Sequence, residues 1–498
     1  NHFLSRIRHE IPGRKSCIEI DVKDMLQLSK VIGLRNEHIT IWEECMREKY
    51  ESLALTDLKE IAKSRGIKGT STMKKAQIVE AMLKEDEKDK AAGKEVAVKS
   101  VAAPGAPVKK TESAEEEKFP AELDSGITAS GILEVMSDGF GFIRCENYLP
   151  GEHDVYVAPS QIRRFGLKTG DILEGNTRIK TQNEKFSALL YVKSINGYPP
   201  EVAMRRVNFE NMTPIFPDER LKLETPGCTV AMRIMDLMSP VGKGQRGMIV
   251  SPPKAGKTTL LKEVAKSITR TAPDSHLIIL LIDERPEEVT DIKEAIEGPN
   301  VEVIYSTFDE LPEHHKRVSE MVIERAKRLV EHKKDVVILL DSITRLTRAY
   351  NLVVPPSGRT LSGGLDPAAL HMPKRFFGAA RNMREGGSLT VLATALVETG
   401  SKMDDVIYEE FKGTGNMEMV LDRKLSEKRV FPAIDIPKSS TRREDLLLNT
   451  DELEAINVIR KAFNGMKADE AVERVVDMFT KTRNNQEFVN MVKKMKFI

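Results

Sequence analysis

The sequence predicts an α/β domain with a mostly parallel sheet, preceded by a small β-barrel and a short helical unit. From Gly242 onward, short apolar runs alternate with amphipathic stretches, which is typical of a parallel sheet covered by helices on both faces. Residues 125–195 contain short runs of alternating apolar and polar side chains between turn signals, as in a small barrel. Residues 51–83 have the apolar spacing of two short helices.

The composition excludes two broad classes of protein. The 498 residues are 40% hydrophobic and 31% charged, which is typical of a folded chain and not of a disordered one. The formal net charge is +1, so a polyanion would have to bind at local basic surfaces. The four cysteines lie far apart without a CxxC pair, so we expect neither disulfides nor zinc, and a reducing, cytoplasmic compartment. No apolar run approaches the roughly 20 residues that cross a bilayer, so no membrane partner is expected.

Changes in composition divide the chain into six predicted segments. Residues 84–118 contain no Leu, Ile or aromatic residue, so this stretch cannot bury enough apolar surface to fold. Basic residues around Gly66 and Gly69 fit either a small nucleic-acid-binding helical unit or a solvated helix pair. The segments are an unassigned extension at 1–50, a small helical unit at 51–83, a charged, Ala-rich flexible linker at 84–124, a β-barrel at 125–200, a connector at 201–240, and the α/β domain with C-terminal helices at 241–498.

The segment SPPKAGKT at residues 251–258 has the pattern of a phosphate-binding loop. It follows an apolar strand and precedes an amphipathic helix, which is the context that such a loop needs. Backbone N–H groups at the start of the helix can surround a β-phosphate. Lys257 would then reach the β- and γ-phosphates, and the hydroxyl of Thr258 would hold Mg²⁺. Ser251 stands where the first glycine of the motif is usual, and the alternative interpretation is a purely structural strand-to-helix turn.

Two acidic residues follow other predicted strands and suggest a hydrolytic site. Asp341 ends one apolar strand and could hold the metal. Glu284 follows another, and a carboxylate there could orient or deprotonate the attacking water. Because the carboxyl ends of parallel strands meet at one edge of a sheet, both acids can reach the same nucleotide. Glu287 and Glu288 lie close enough along the chain that the residues alone leave the choice of base open.

Aromatic residues in the predicted barrel indicate a platform for single-stranded nucleic acid. After the hairpin signal at 138–139, alternation places two phenylalanines and an arginine on one strand face. Exposed rings beside charged groups can stack on bases and read their edges. The alternative is that the rings form the core of the barrel. The residues concerned are Phe140, Phe142, Arg144, Asp154, Tyr156, Glu184 and Phe186.

Two glycine-bearing polar segments, 357–364 and 399–415, are predicted to be loops. Glycine, hydroxyl and basic residues together suit a passing phosphate backbone. The alternative is that both are ordinary surface loops.

Six motifs, in this order along the chain, resemble those of the Rho family of bacterial transcription termination factors. The resemblance extends over residues 51–498 and does not visibly include residues 1–50. The motifs are DGFGF at 138–142, DVYVAPSQIRR at 154–164, PPKAGKT at 252–258, DERPEE at 283–288, LDSITRL at 340–346 and FKGTGNME at 411–418.

The resemblance implies an architecture and an activity. The implied fold is a RecA-like P-loop NTPase motor with an OB-type barrel and a small N-terminal helical unit, assembled into a homohexameric ring. Such proteins use ATP and Mg²⁺ to move along RNA, unwind RNA–DNA hybrids and release transcripts. The implied partners are cytidine-rich single-stranded RNA, RNA polymerase and elongation factors of the NusG type.

The resemblance also implies roles for single residues. Glu284 looks like the catalytic base, and Asp341 with Thr258 looks like the metal site. Arg442 resembles an arginine finger that reaches into the neighbouring subunit, with Arg429 as an accessory. The implied ATP-binding residues are Pro253, Lys254, Ala255, Gly256, Lys257, Thr258, Thr259, Arg285 and the adenine-stacking Phe431, and Lys257 is counted with the catalytic residues.

Both RNA sites are assigned in the same way. The seven barrel residues resemble the primary site, although Phe186 stands where tyrosine is common, and Arg359 replaces a frequent lysine in the channel. The implied secondary site in the central channel comprises Arg359, Thr360, Ser362, Gly363, Lys402, Lys412 and Gly413.

Two other classes of function compete with this interpretation. A non-hydrolysing RNA-binding regulator would use ATP only as a ligand, and Glu284 argues against it. A DNA recombinase or a rotary ATPase subunit would share the motor fold, and the aromatic barrel argues against both.

Overall fold

The computed structural model describes residues 62, 73–91, 123–144, 147–181, 184–463, 466 and 468–495. The chain divides into two compact units, Asn1–Glu115 and Glu116–Ile498. The predictions for residues 1–50, and for all of the first helix of the 51–83 unit except Ala62, lie outside the described residues.

One helix, α1 (Lys75–Ala91), is described in the first unit. It buries Ile78, Val79 and Met82 on one face, as the apolar spacing predicts. The helix continues to Ala91, so the change in composition at residue 84 lies inside it and does not mark its end. Lys, Glu and Ala favour helix even where they cannot form a core, which explains the difference.

The second unit begins with the predicted barrel, which the structure confirms. Five strands close in the order β1-β2-β3-β5-β4 around a core that includes Leu133, Ile143 and Leu173. A Cβ atom at Gly175 would lie 2.1 Å from the backbone oxygen of Tyr191, so the closure of β4 onto β5 requires glycine there. The elements are β1 (Asp124–Val135), β2 (Gly141–Arg144), β3 (Val155–Val157), α2 (Pro159–Phe165), β4 (Ile172–Arg178), β5 (Ser187–Ile195) and α3 (Pro200–Met204).

A nine-stranded sheet follows in the order β14-β13-β7-β12-β10-β8-β9, with β11 pairing with β12 and β6. The strands from β13 to β9 are parallel, as the apolar runs that alternate with amphipathic stretches after Gly242 predict. The strands are β6 (Pro214–Ile215), β7 (Arg246–Ser251), β8 (His276–Glu284), β9 (Val301–Thr307), β10 (Asp335–Asp341), β11 (Arg381–Met383), β12 (Ser388–Leu396), β13 (Met417–Val420) and β14 (Ser440–Thr441).

Helices cover both faces of this sheet because its central strands are apolar on both sides. Ile279 of β8 packs into one core and Ile278 into the other, as alternation along a strand requires. None of the helices in the described ranges is long and apolar enough to span a membrane. The helices are α4 (Val230–Met238), α5 (Lys257–Thr271), α6 (Pro286–Ala295), α7 (Pro312–Glu331), α8 (Ile343–Val353), α9 (His371–Gly378), α10 (Lys402–Lys412), α11 (Arg423–Glu427), α12 (Thr450–Ala462), α13 (Ala468–Thr480) and α14 (Asn485–Lys494).

The parallel register brings the chemistry-bearing strand ends together. In register, Leu396 of β12 lies opposite Ser251 of β7, and Asp341 of β10 lies opposite Leu281 of β8. The phosphate-loop candidate and the acids Glu284 and Asp341 therefore lie at the same edge of the sheet.

Candidate nucleotide site and nucleic-acid interface

The turn between β7 and α5 has the backbone of an anion-binding loop. Gly256 precedes α5 at φ +94°, and Lys254 lies in the left-handed region at φ +63°. Such conformations are costly for a lysine and occur where a loop is held in a functional shape. The first N–H groups of α5 are free to point at a ligand. Of the predicted contacts, Pro253, Lys254, Gly256 and Thr259 are exposed, whereas Ala255 is buried.

Lys257 lies between the two predicted acids. Its Nζ atom donates to Asp341 Oδ1 at 2.6 Å and to Glu284 Oε1 at 3.0 Å. Burial disfavours the ammonium ion, but the two carboxylates outweigh burial and raise the pKa of Lys257. The lysine therefore stays charged, as a phosphate contact requires.

Asp341 and Thr258 supply the oxygen atoms that a magnesium ion prefers. Asp341 is buried, and Thr394 Oγ1 donates to its Oδ1 at 2.7 Å. Thr258 Oγ1 donates to Glu288 Oε2 at 3.3 Å. Among the described residues, no three His, Cys, Asp or Glu side chains are grouped to hold a metal ion. A carboxylate and a hydroxyl are donors that fit a magnesium ion bound mainly by phosphate oxygens and water.

The structure separates the three candidate bases. Glu284 is buried, and its Oε2 lies 3.2 Å from Nη1 of Arg345. Glu288 contacts Thr258, and Glu287 is exposed on the first turn of α6. Glu284 is therefore the acid whose two carboxylate oxygens pair with two cations, Lys257 and Arg345, at the carboxyl end of the strand. Sequence reasoning missed Arg345, although its position on the first turn of the helix after Asp341 was the available signal.

Arg442 lies at the amino ends of the parallel strands, whereas the phosphate loop lies at their carboxyl ends. Its backbone N–H donates to Asn416 O at 2.8 Å, next to Met417, and Met417 is in register with Gly247 at the start of β7. The backbone between that level and Ser251 rises by about 13 Å. Within one chain, the structure does not bring this exposed arginine to Lys257.

The other predicted nucleotide contacts lie on surface segments. Arg285 is exposed at the start of α6, and Arg429 is exposed at φ +58°. Phe431 is 51% exposed, on the segment that follows β13. Leu421 at the start of that segment donates to Val250 O at 2.8 Å, so the segment begins at the edge that carries the phosphate loop.

The aromatic residues of the barrel form one cluster outside its core. The ring centroids of Phe142 lie 5.8 Å from Phe140, 6.0 Å from Tyr156 and 5.1 Å from Phe186. All four rings are half-buried, and none belongs to the apolar core inside the barrel. The geometry agrees with the platform interpretation and not with the core interpretation.

The charged members of the cluster are more constrained than the pattern predicts. Arg144 is 5% exposed; its Nε donates to Glu134 at 2.8 Å, and Nη1 pairs with Oδ2 of Asp154. The guanidinium also lies 4.8 Å from the Phe142 ring centroid. Arg144 thus supports its neighbours and is not a free surface cation, because it is shared by two carboxylates. The other oxygen of Asp154, Oδ1, is buried without a hydrogen-bond partner among the described residues.

Glu184 lies two residues before Phe186 along the chain. The backbone N–H of Thr181 donates to its Oε2 at 3.1 Å, and Arg178 pairs with its other oxygen. The Thr181 hydrogen bonds, aided by Arg178, lower the pKa of Glu184, so the carboxylate is charged at neutral pH.

The prediction of a loop at 399–415 is wrong for most of that segment. Residues Lys402–Lys412 form α10, because Ile407 and Phe411 are spaced to bury one face of a helix. The 357–364 segment packs against the start of this helix, since a Cβ atom at Gly363 would lie 2.4 Å from the backbone nitrogen of Met403.

The predicted channel residues therefore occupy two ends of one helix and the turn beside it. Lys402 begins α10 and Lys412 ends it, about 15 Å away along the helix axis. All of the predicted channel residues are exposed or half-buried at the surface: Arg359, Thr360, Ser362, Gly363, Lys402, Lys412 and Gly413.

Three family models match the chain. The RNA-binding domain of the Rho termination factor matches residues 129–201, and its N-terminal domain matches residues 49–89. The nucleotide-binding domain of the ATP synthase alpha/beta family matches residues 231–441. The first of these matches contains the aromatic cluster and the last contains the phosphate loop.

Curated relatives match over most of their length. Transcription termination factor Rho of Bacillus subtilis is 58% identical over 376 residues, which are 75% of this chain and 87% of that protein. The corresponding protein of Aquifex aeolicus is 49% identical over 449 residues, 89% of this chain and 94% of that protein. Among solved structures, a prototypical ATPase from a type III secretion system of pathogenic bacteria is 19% identical with a TM-score of 0.48, covering 64% of this chain and 94% of that one. On the sequence relatives, the chain belongs to the Rho family of transcription termination factors.

Proposed function

We propose that this chain is an ATP-dependent RNA translocase and helicase. It binds cytidine-rich nascent RNA and terminates transcription by releasing the transcript from RNA polymerase. The observation that carries the proposal is the presence, in one chain, of a lysine held by two acids at a parallel-sheet edge and an aromatic cluster outside a small barrel. The first is suited to phosphoryl transfer and the second to single-stranded RNA.

In the proposed site, each residue has a separate task. Lys257 and the N–H groups of α5 bind the phosphates of ATP. Glu284 orients the attacking water and accepts its proton. Thr258 and Asp341 would hold Mg²⁺, which would neutralise charge that develops on the phosphate oxygens. Arg345 keeps Glu284 in place, since it contacts the oxygen that does not face Lys257.

The position of Arg442 supports a site completed by a neighbouring subunit. An arginine at the far edge of its own sheet can reach a γ-phosphate only in another protomer, as the homohexameric ring of the family provides. Hydrolysis removes the phosphate that attracts the arginine, so the contact between protomers weakens after each turnover. The channel residues on α10 and the turn beside it would move RNA in response.

The aromatic cluster supports recognition of cytidine. Its rings can stack on bases. Oδ1 of Asp154 is buried without a partner among the described residues, and it would accept a hydrogen bond from the exocyclic amine of cytosine once neighbouring side chains move aside. RNA polymerase and an elongation factor of the NusG type are the proposed protein partners, and the cytoplasm is the proposed location. The six segments expected from the sequence are part of the same proposal.

A double dissociation between the two sites tests this function. Lys257→Ala removes the phosphate contact, so ATP hydrolysis should be lost while barrel binding of oligocytidine, measured by fluorescence anisotropy, persists. Phe142→Ala should weaken oligocytidine binding by about 1–3 kcal/mol, while ATP turnover at saturating RNA persists. Ile127→Ala, an exposed barrel residue that takes no part in the cluster, is the control.

Two results would contradict the proposed function. If ATP turnover by the unmodified protein is no faster with cytidine-rich RNA than without it, the motor interpretation is wrong. Loss of both activities in Lys257→Ala would show that the sites are not separate.

A further inference from the structure

A single carboxylate oxygen joins the barrel to the α/β domain. Oε2 of Glu134, on β1, accepts from Arg144 Nε at 2.8 Å and from Arg317 Nη2 at 2.6 Å. Arg144 belongs to the barrel, whereas Arg317 lies on the second turn of α7. Because both guanidiniums share one acceptor, a shift of either changes the hydrogen bond that remains to the other.

On the barrel side, the carboxylate of Glu134 is linked to the proposed RNA contact, Asp154, through one residue, Arg144. Arg144 pairs with Oδ2 of Asp154, and the buried Oδ1 of Asp154 has no partner among the described residues. Engagement of Oδ1 by a ligand would alter the pairing of Asp154 with Arg144. Through Arg144, it would also alter the bond to Glu134.

At the other end, α7 is tied to the strand edge that carries the proposed base. His315 Nδ1 lies 2.7 Å from Ser306 Oγ near the end of β9, and both residues are buried. Just beyond β9, the N–H of Phe308 donates to the backbone oxygen of Glu284 at 3.2 Å. Two residues before Arg317, the helix is thus fastened to the segment that contacts Glu284.

Other contacts hold the barrel on the domain without Glu134. Lys168 Nζ lies 3.1 Å from Glu331 Oε1 at the far end of α7, and Arg206 pairs with the same glutamate. Glu331 is about 21 Å along the helix from Arg317. Loss of the Glu134–Arg317 contact alone therefore leaves the interface in place. Nε of Arg317 is buried without a partner among the described residues, so one hydrogen-bond donor of this side chain is unsatisfied.

We propose that Glu134 is a positioning residue that transmits occupancy of the barrel to the ATPase site through Arg317 and α7. The inference rests on the proposed function, because it takes the barrel as an RNA site and Glu284 as the base. Coupling along this route is an energetic quantity that substitution can measure.

The test uses Arg317→Gln, which cuts the link and leaves the barrel residues unchanged. ATP turnover driven by oligouridine in the channel is measured with and without oligodeoxycytidine bound to the barrel. We expect the stimulation by oligodeoxycytidine to fall about fivefold or more, while its affinity for the barrel stays within twofold. Arg317→Lys keeps the cation and should restore part of the stimulation.

Lys168→Gln is the matched control. It removes another cation that joins barrel and domain, and the Lys168 and Arg317 side chains are both 33% exposed. The control should keep the stimulation of the unmodified protein. Equal losses in both variants would overturn the proposal in favour of a general effect of the interface, as would unchanged stimulation in Arg317→Gln.

A double-mutant cycle excludes indirect effects. If Glu134 acts through Arg317, then Glu134→Gln combined with Arg317→Gln should lose no more stimulation than Arg317→Gln alone. Additive losses would contradict the link. Failure of the proposed function is distinguishable, because in that case the unmodified protein itself would not respond to RNA.

Discussion

The two oxygens of Asp154 have different environments, and this difference leads to a prediction about base preference. Oδ2 accepts from the N–H of Gly151 at 3.0 Å and pairs with Arg144, whereas Oδ1 has no partner among the described residues. Leaving a buried acceptor unsatisfied costs about 1–3 kcal/mol, so a ligand that donates a hydrogen bond there recovers this energy.

Asp154→Asn should therefore reduce the preference for oligocytidine over oligouridine by about 1–3 kcal/mol. The amide keeps the size of the side chain but loses the charge and one acceptor. Competition binding followed by fluorescence anisotropy measures the preference. Glu152→Gln, which removes the same charge from an exposed neighbour, should leave the preference unchanged. Equal effects of both substitutions would assign the preference to general electrostatics.

At single residues, the sequence predicts pairings that follow from strand order, but not those made by other packing contacts. It predicts that Lys257, Glu284 and Asp341 converge because parallel strands end at one edge, and their hydrogen bonds bear this out. The burial of Arg144 depends on Glu134, whose second partner Arg317 is 183 residues away. No spacing rule connects residues so far apart, so the alternating pattern places Arg144 on the face of the phenylalanines without indicating its partner on α7.

The turn at Ser362–Gly364 and the helix α10 form one surface because a glycine allows their backbones to touch. Gly363 has φ +78°, and an added Cβ would lie 2.4 Å from the nitrogen of Met403. Gly358 also has φ +78°, but nothing among the described residues lies within 4 Å of its Cβ position. A comparison of the two glycines therefore distinguishes two effects of an added side chain. Both positions have the same strained φ, but only Gly363 of the two contacts α10.

Gly363→Ala should impair channel function more than Gly358→Ala does. The forced shift of the turn costs about 1–3 kcal/mol beyond the strain that both variants suffer. We expect the oligouridine concentration for half-maximal ATP turnover to rise about fivefold or more relative to Gly358→Ala. Similar values for the two variants would mean that the contact between the turn and α10 does not matter for RNA.

Strands are easier to predict than the segments between them, for a physical reason. A buried parallel strand is a continuous apolar run, as in β8 and β10, and both runs have the length of a strand and not of a buried helix. The Lys402–Lys412 segment carries charges and is flanked by glycines, which obscure its helical spacing. Its burial depends on packing against α8, where Arg348 Nη2 pairs with the buried Asp404 at 2.7 Å.

The topology of the sheet separates two residues that the proposed reaction needs together. Lys257 follows β7 at one edge, and Arg442 lies level with the start of β7 at the other edge. β7 is paired on both sides, with β13 and β12, and its length keeps the two residues apart within one protomer. Under the proposed function, the ring is a requirement of the chemistry, because the proposed active site takes residues from two copies.

Mixing two inactive variants tests this requirement directly. Lys257→Ala lacks the phosphate contact, and Arg442→Ala should lower hydrolysis by about 10³–10⁵. In rings that contain both variants, about a quarter of the interfaces between neighbouring protomers join an intact Lys257 to an intact Arg442. Single-turnover ATP hydrolysis should therefore reappear on mixing, once native mass spectrometry confirms that mixed rings have formed.

The control for this recovery is Lys257→Ala mixed with a chain that carries both substitutions. No interface in such rings contains an intact Lys257, so this mixture should stay inactive. If both residues acted within one chain, no mixture could recover activity, since every chain lacks one of them. Mixed rings that remain inactive in single turnover would thus place the arginine in its own protomer's site, against the distance that β7 imposes.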